Sequence, residues 1–194
     1  MDTAAGPHLP IETERLLLRA FEPDDVDVLA AMHGDADLVR WIPWGPRTRE
    51  EATAVLERKL ACTKLEQEGD GLGIAPVVKE TGEMVGDFTL QYESAEHSTA
   101  ELGYLLTPAS QGRGYATEAG RALLGLAFDV LGFHRVIARL EARNAASAAV
   151  ARRLGMRLEA RFVENEWAKG EWQSEIVYAI LAREWEQGGS GVRE

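Results

Sequence analysis

The sequence predicts one α+β domain built on a mixed, mostly antiparallel sheet of about seven strands. Three observations carry that expectation. Strand-like runs come in pairs joined by tight-turn signals, at Thr81–Gly82 and again at Lys169–Gly170. Helix-like runs are interspersed among them and do not alternate strictly with strands, as a doubly wound fold would require. At 194 residues, with no internal repeat and no low-complexity linker, the chain suits a single domain with a full core.

In chain order, Arg15 to Phe21 reads as a strand and Pro23 to His33 as a helix, with Asp24 and Asp25 suited to its positive end. A Trp41-Ile42-Pro43-Trp44-Gly45-Pro46 loop leads to a helix expected over Arg49 to Glu68. Ile74 to Lys79 and Met84 to Tyr92 form the first hairpin, and Thr99 to Leu106 is a further strand. Gly114 to Leu131 carries Ala119, Ala122, Leu123, Leu126, Ala127 and Val130 at helical spacing and stops at Gly132. His134 to Leu140 is a strand, and Asn144 to Leu154 is a helix with a good N-cap. Arg157 to Trp167 and Trp172 to Leu181 are the last two strands; Trp172, Ile176, Tyr178 and Ile180 share one face and are expected in the core. The domain is placed at 10–187, with 1–9 and 188–194 as flexible termini.

Composition narrows the function classes. A hydrophobic content of 45% with 27% charged residues is that of a globular protein. No run approaches 18 consecutive apolar residues, and the N-terminus lacks the basic and apolar regions of a signal peptide, so a cytoplasmic protein without membrane contact is expected. The net charge of −11 argues against nucleic acid as a partner; it suits a cationic substrate, though acidity also serves solubility. The single Cys62 falls within the expected helix with no histidine in the same turn, which makes it a packed thiol. The four histidines show no paired spacing, so no metal is expected.

The most informative stretch is Gln111-Gly112-Arg113-Gly114-Tyr115-Ala116-Thr117-Glu118-Ala119, between a strand and a helix. No Ser, Thr, Asp or Asn caps that helix, two glycines flank Arg113, and the first N–H groups are left without a side-chain partner. Such a start suits an anion, most simply a phosphate. An ordinary Gly-containing turn accounts for the same residues equally well.

Three segments taken together carry a family likeness. They are Thr13-Glu14-Arg15-Leu16-Leu17-Leu18-Arg19; Ala100-Glu101-Leu102-Gly103-Tyr104-Leu105-Leu106 with the glycine-rich stretch after it; and Asn144-Ala145-Ala146-Ser147 with Val150 and Leu154-Gly155-Met156. In this order and spacing the chain resembles the GCN5-related N-acetyltransferase (GNAT) superfamily, and most of all its ribosomal-protein branch of the RimJ/RimL type. The resemblance covers about residues 10 to 187. It implies a single domain with helices on both faces of a twisted sheet. It also implies a splayed strand pair, Tyr104–Leu106 leaving Val136–Leu140, with the pantetheine arm of acetyl-coenzyme A in the gap.

By the same resemblance, Gln111, Gly112, Arg113, Gly114, Tyr115, Ala116 and Thr117 cradle the pyrophosphate. Tyr104, Leu105 and Leu106 offer strand backbone to the pantetheine, while Asn144 and Ser147 reach the pantetheine and the thioester sulfur. Trp41 and Trp44 wall the acceptor pocket beside Glu101. Core packing is the alternative for the two tryptophans.

Acetyl transfer to an amine needs a group to take the amine proton, polarisation of the thioester carbonyl, and stabilisation of the departing thiolate. Glu101 is the expected base or amine anchor, on the same strand face as Gly103 and Leu105. Its alternative is a strand glutamate paired with an Arg or Lys. The superfamily often has a tyrosine seven residues after the asparagine; here that position is Ala151. Ser147 is then the expected catalytic hydroxyl, unless transfer proceeds without a protein acid.

The sequence thus predicts an acetyl-CoA-dependent N-acetyltransferase. Its acceptor would be a protein N-terminus or a small-molecule amine, and the resemblance allows a homodimer. A non-catalytic acyl-CoA-binding module is the alternative kept open by Ala151. A dinucleotide site at Gly112-x-Gly114 lacks its third glycine, since position 117 is Thr.

Overall fold

The computed structural model describes residues 8–189. One sheet of eight strands runs through it, in the order β1-β2-β3-β4-β5-β6-β8-β7. The strands are β1 (Ile11–Glu12), β2 (Leu16–Arg19), β3 (Gly71–Val78), β4 (Gly86–Ser94), β5 (Thr99–Leu106), β6 (Arg135–Glu141), β7 (Arg157–Ala168) and β8 (Glu171–Leu181). All neighbours are antiparallel except β5 and β6. The strand beyond the expected seven is β1, two residues pairing with Leu17 and Leu18 and too short to show a period.

The helices are α1 (Val26–Gly34), α2 (Arg49–Ala61), α3 (Tyr115–Gly125), α4 (Ala145–Arg153) and α5 (Ala182–Gly189). A 3₁₀ turn at Pro23–Asp25 leads into α1, and a π turn at Leu126–Val130 finishes the α3 run. The sheet is covered on both faces. Ala75 and Val77 of β3 point toward α1 and α2, packing with Leu29, Val55 and Leu56. Leu72 and Ile74, of opposite parity, join the larger core that includes Phe88, Leu102, Leu123 and Leu124.

Two boundaries differ from the sequence reading and one helix adds to it. The second helix stops at Ala61, not near Glu68, because Thr63 bridges to Leu72 and Asp70 accepts the Glu66 and Gln67 amides. Cys62 is therefore the C-cap of α2 and not a mid-helix residue. The strand expected from Ile74 begins at Gly71, and it passes close to α2 at Gly73, where a Cβ would crowd the Lys59 carbonyl at 3.2 Å. Helix α5 follows β8 directly, with its Trp185 indole donating to Asp129 at 3.0 Å.

Leu9 is buried in the larger core, and α5 runs on to Gly189. The rest of the expected flexible termini lies outside the described residues. Trp172 is a correction: it is 55% exposed, whereas Ile176, Tyr178 and Ile180 are buried as expected. The β7–β8 hairpin overshoots β6, whose pairing with β8 ends at Glu141 and Glu175. Trp172 thus sits past the layered part of the sheet and stacks edge-on against Trp167, with ring centroids 5.3 Å apart.

One topological feature positions the site. β5 and β6 are parallel partners only from Thr99–Glu101 to Arg135–Ile137. Beyond that point β5 stays with β4 while β6 follows β8, so Leu102 to Leu106 lose their neighbour on one side. This is the expected splay.

Candidate active site

Two cavities flank the splayed strands and meet there. The larger, about 890 Å³, is lined by Leu106, Gln111, Gly112, Gly114, Ala116 and Thr117, by Pro108, and by Ala146, Ala149, Val150 and Arg153 of α4. The smaller, about 480 Å³, lies over the other end of β5 and is lined by Glu101, Gly103, Trp44, Arg47, Asp87 and Arg139 among others. Trp41, Tyr104, Leu105, Asn144 and Ser147 line both.

The larger cavity is shaped by backbone. Gly114 is the N-cap of α3 in the left-handed region (φ 83°), with no side-chain cap, and Gly112 is also left-handed (φ 74°). A residue with a Cβ pays about 1–2 kcal/mol to hold that conformation, which is why glycine recurs here. The result is a helix start whose first amides face a cavity with no side-chain acceptor on them. The turn is buttressed from behind. Glu118 accepts from the Thr13 hydroxyl at 2.6 Å, from the Arg15 amide at 2.8 Å and from Arg15 Nε at 2.7 Å. Arg15 Nη1 also donates to the Arg113 carbonyl at 3.0 Å. Burial works against the Glu118 charge, but these bonds and the Arg15 charge hold its carboxyl below the usual range.

Of the seven residues 111–117, Arg113 and Tyr115 do not line the cavity. The Tyr115 ring is buried under the Arg15 guanidinium, 4.8 Å from it, so any contact of Tyr115 with a ligand would come from backbone.

The junction of the cavities is held by α4. Asn144 caps the helix, its Oδ1 accepting from the Ser147 amide at 3.0 Å, which leaves the amide NH₂ free of that task. The Tyr104 hydroxyl donates to the Ser147 carbonyl at 2.8 Å. Burial pushes the Tyr104 phenol far above its ordinary pKa, so it stays protonated. The Tyr104 hydroxyl is a donor at the junction that strand periodicity alone could not place there. Ala151 is fully buried in the core and offers nothing to the site.

In the smaller cavity Glu101 is ion-paired: Arg139 Nη1 lies 2.8 Å from it, and the other arm of Arg139 holds Glu93 at 2.6 Å. Burial raises the Glu101 pKa; the Arg139 charge opposes this, and Glu93 and Glu175 repulsion adds to it. The net direction is upward, toward a carboxylate that takes a proton more readily than an exposed glutamate. Both expected tryptophans wall this cavity. Trp41 lies between the guanidinium groups of Arg40 (4.4 Å) and Arg143 (4.9 Å). Its loop is tied down by Lys169, which donates to the Val39 and Arg40 carbonyls at 2.7 and 2.9 Å.

A buried polar cluster on the same wall was not anticipated. Asp87 of β4 accepts from Lys59 Nζ at 2.6 Å and bonds His33 Nε2 at 3.0 Å, and His33 Nδ1 meets Arg47 Nη1 at 3.1 Å. Trp44 packs on His33 at 4.7 Å and under the Arg47 guanidinium at 3.6 Å. Burial opposes the Asp87 charge, yet Lys59 and the His33 bond hold its carboxyl below the usual range. The sequence signal was Asp87 itself, an aspartate inside a strand beside Phe88 and Leu90, where such residues are depleted.

A mixed sheet split between two central strands, with an uncapped glycine-lined helix start on one side and a charged pocket on the other, is the architecture of an N-acetyltransferase. The chain belongs to the acetyltransferase (GNAT) domain family, whose model matches residues 15–157. It is 33% identical to the uncharacterized N-acetyltransferase YnaD of Bacillus subtilis over 90% of this chain and 98% of that protein. A GNAT-family acetyltransferase from Bacillus anthracis superposes with a TM-score of 0.82 at 29% identity, covering 90% of this chain and 99% of that one. A Vibrio cholerae protein, provisionally described as a ribosomal-protein-serine acetyltransferase, does so with a TM-score of 0.76 at 26% identity, over 91% and 99%.

Proposed function

We propose that this protein moves an acetyl group from acetyl-CoA directly to a primary amine, with donor and acceptor bound together. One observation carries the reading: the anion-suited cavity at Gly112–Thr117 and the charged cavity at Glu101 open onto each other at Tyr104, Leu105, Asn144 and Ser147. The residues present fit coenzyme A, because the left-handed glycines leave the α3 amides uncovered, as a pyrophosphate requires. Bound there, acetyl-CoA would supply an activated acyl group.

The chain's own residues would do the rest. The Gly112 to Thr117 backbone would hold the phosphates, and the unpaired edge of β5 from Gly103 to Leu106 would take the pantetheine as a further strand. Asn144 and Ser147 would contact its inner end. Glu101, its pKa raised by burial, would accept the amine proton directly or through water, or anchor the ammonium before attack. Ser147, whose backbone bonds leave its hydroxyl uncommitted, would protonate or hydrogen-bond the departing sulfur, with the Tyr104 phenol fixing that turn of α4. Trp41 and Trp44 would wall off the acceptor from water.

Coenzyme A release measured across an amine panel, beside acetyl-CoA binding by calorimetry, tests this. Turnover on at least one amine, with intersecting double-reciprocal plots and no acetylated enzyme, is expected. Tight acetyl-CoA binding without turnover on any amine would instead identify a non-catalytic module.

A further inference from the structure

Resting on the transferase reading, we infer that the acceptor carries an anionic group, most simply a carboxylate, beside its reacting amine, and that Arg47 is the residue that binds it. Three cationic side chains line the acceptor cavity: Arg47, Lys59 and Arg139. Lys59 is neutralised by Asp87 and Arg139 by Glu93 and Glu101. Arg47 is different. Among the described residues no carboxylate lies within ion-pair distance of it; its partners are the imidazole Nδ1 of His33 and the face of Trp44.

The arrangement fixes the guanidinium without satisfying its charge. An arginine donor facing Nδ1 requires that nitrogen to accept, so the His33 proton sits on Nε2 and points to Asp87. The chain Asp87, His33, Arg47 is then a set of bonds in one direction, anchored on a sheet strand. The Arg47 amide also donates to the His33 carbonyl at 2.9 Å, which pins the backbone of the loop. Trp44 covers one face of the guanidinium. Burial, with Arg58 nearby, holds its pKa below the ordinary arginine value, against the opposing charges of Asp87 and Glu51. A planar guanidinium stacked on an aromatic ring, with N–H groups left over, is suited to bidentate capture of a carboxylate.

Register places this group near the chemistry. Asp87 is the direct partner of Leu105, one of the residues shared by the two cavities, and Thr89 is the partner of Gly103. Glu101 lies four residues back along β5, roughly 13 Å from Leu105 at about 3.3 Å per residue. An acceptor lying over β5 would therefore meet Glu101 toward one end and the Arg47 group toward the other. Its amine would be at the junction between them. A simple polycation has no group to offer Arg47. Two sources present the required chemistry: a free amino acid, or a peptide N-terminus followed by an acidic side chain.

Matched pairs test the inference. Coenzyme A release and calorimetric binding to the CoA-saturated protein are measured for leucine and phenylalanine against the corresponding decarboxylated amines. Tetrapeptides with Asp or Glu at position two are measured against their Asn and Gln counterparts. Wild type is expected to prefer at least one anionic member by tenfold or more, and the set in which this occurs identifies the source. Arg47→Met should erase the preference, and Arg47→Lys should restore part of it. Acetyl-CoA affinity should stay unchanged in both, since Arg47 does not line the donor cavity. Equal handling of both members by wild type, no binding of any anionic probe, or an unchanged ratio in Arg47→Met would overturn the inference. A protein that acetylates the decarboxylated amines equally well would remain a transferase. Absence of turnover by the wild type on every amine tested would strike the transferase reading separately.

Discussion

The two cavities that meet at β5 are built from different materials. The cavity proposed for the donor is shaped by backbone: left-handed Gly112 and Gly114, the α3 amides and a strand edge without a partner. Its side-chain support, Glu118 with Thr13 and Arg15, stands behind the turn and not in it. The cavity proposed for the acceptor is made of charged and aromatic side chains, among them ones from α1, the 41–47 loop, α2, β4, β5 and β6. A backbone cradle suits a donor that never varies. A side-chain pocket can be rebuilt for each acceptor without disturbing the cradle.

The largest expected effect that separates the two sides is on Asp87. Replacing it with alanine leaves Lys59 and the His33–Arg47 pair facing a buried void, a change that costs about 3–5 kcal/mol when one partner of a buried ion pair is removed. Urea unfolding should show that loss, while acetyl-CoA affinity at a temperature where the variant is folded stays near wild type. The sign with pH follows from its depressed carboxyl. Its stabilisation is complete above the ordinary aspartate value of 3.8 and is lost as pH falls through the lower folded value, and Asp87→Asn should remove that acid dependence. A drop in acetyl-CoA affinity equal to the drop in stability would show that the two sides are not separable.

Next in size is Glu101→Gln, expected to lower kcat about 100-fold, the low end for loss of a general base. Because burial raises the Glu101 pKa, the acid limb of the wild-type kcat/KM profile should lie above the ordinary glutamate value of 4.5 and flatten in the variant. Wild-type turnover in Glu101→Gln would remove it from both the base and the anchoring role. The smallest effect is expected for Gly114→Ala. A Cβ there meets Arg15 Nη2 at 3.3 Å and must hold φ 83°, a cost of about 1–2 kcal/mol, or roughly tenfold weaker acetyl-CoA binding by calorimetry. Unchanged affinity would break the cradle assignment; a changed kcat for the acceptor at saturating donor would break the division of labour.

The same contrast explains what could be read before folding. Gly112, Gly114, Asn144 and Ser147 shape the backbone through contacts a few residues away, so their local structure was legible from spacing: Asn144 caps its own helix and bonds the Ser147 amide. The splay could be expected from the family pattern, and the register ends at Glu101 and Ile137 accordingly. Trp172 was misplaced because strand parity says which side a residue takes, not whether a second layer covers it. The end of α2 was misplaced because the pairing of Thr63 with Leu72 outweighs helix propensity. Glu101 came to hand as a candidate base with pairing to some Arg or Lys as the alternative, but that the partner is Arg139, 38 residues away, did not.

By itself the sequence determined the α+β class, the order of most elements, and the glycine turn that opens α3, because those follow from short-range periodicity and from backbone angles only glycine adopts freely. Tertiary structure alone decided which charges face one another. Asp87, His33, Lys59 and Arg47 come from segments up to 54 residues apart, and each taken singly is an ordinary polar residue. Only when β4 brings Asp87 beneath α1 and α2 does one carboxylate satisfy Lys59 and His33 and leave Arg47 with its charge unspent.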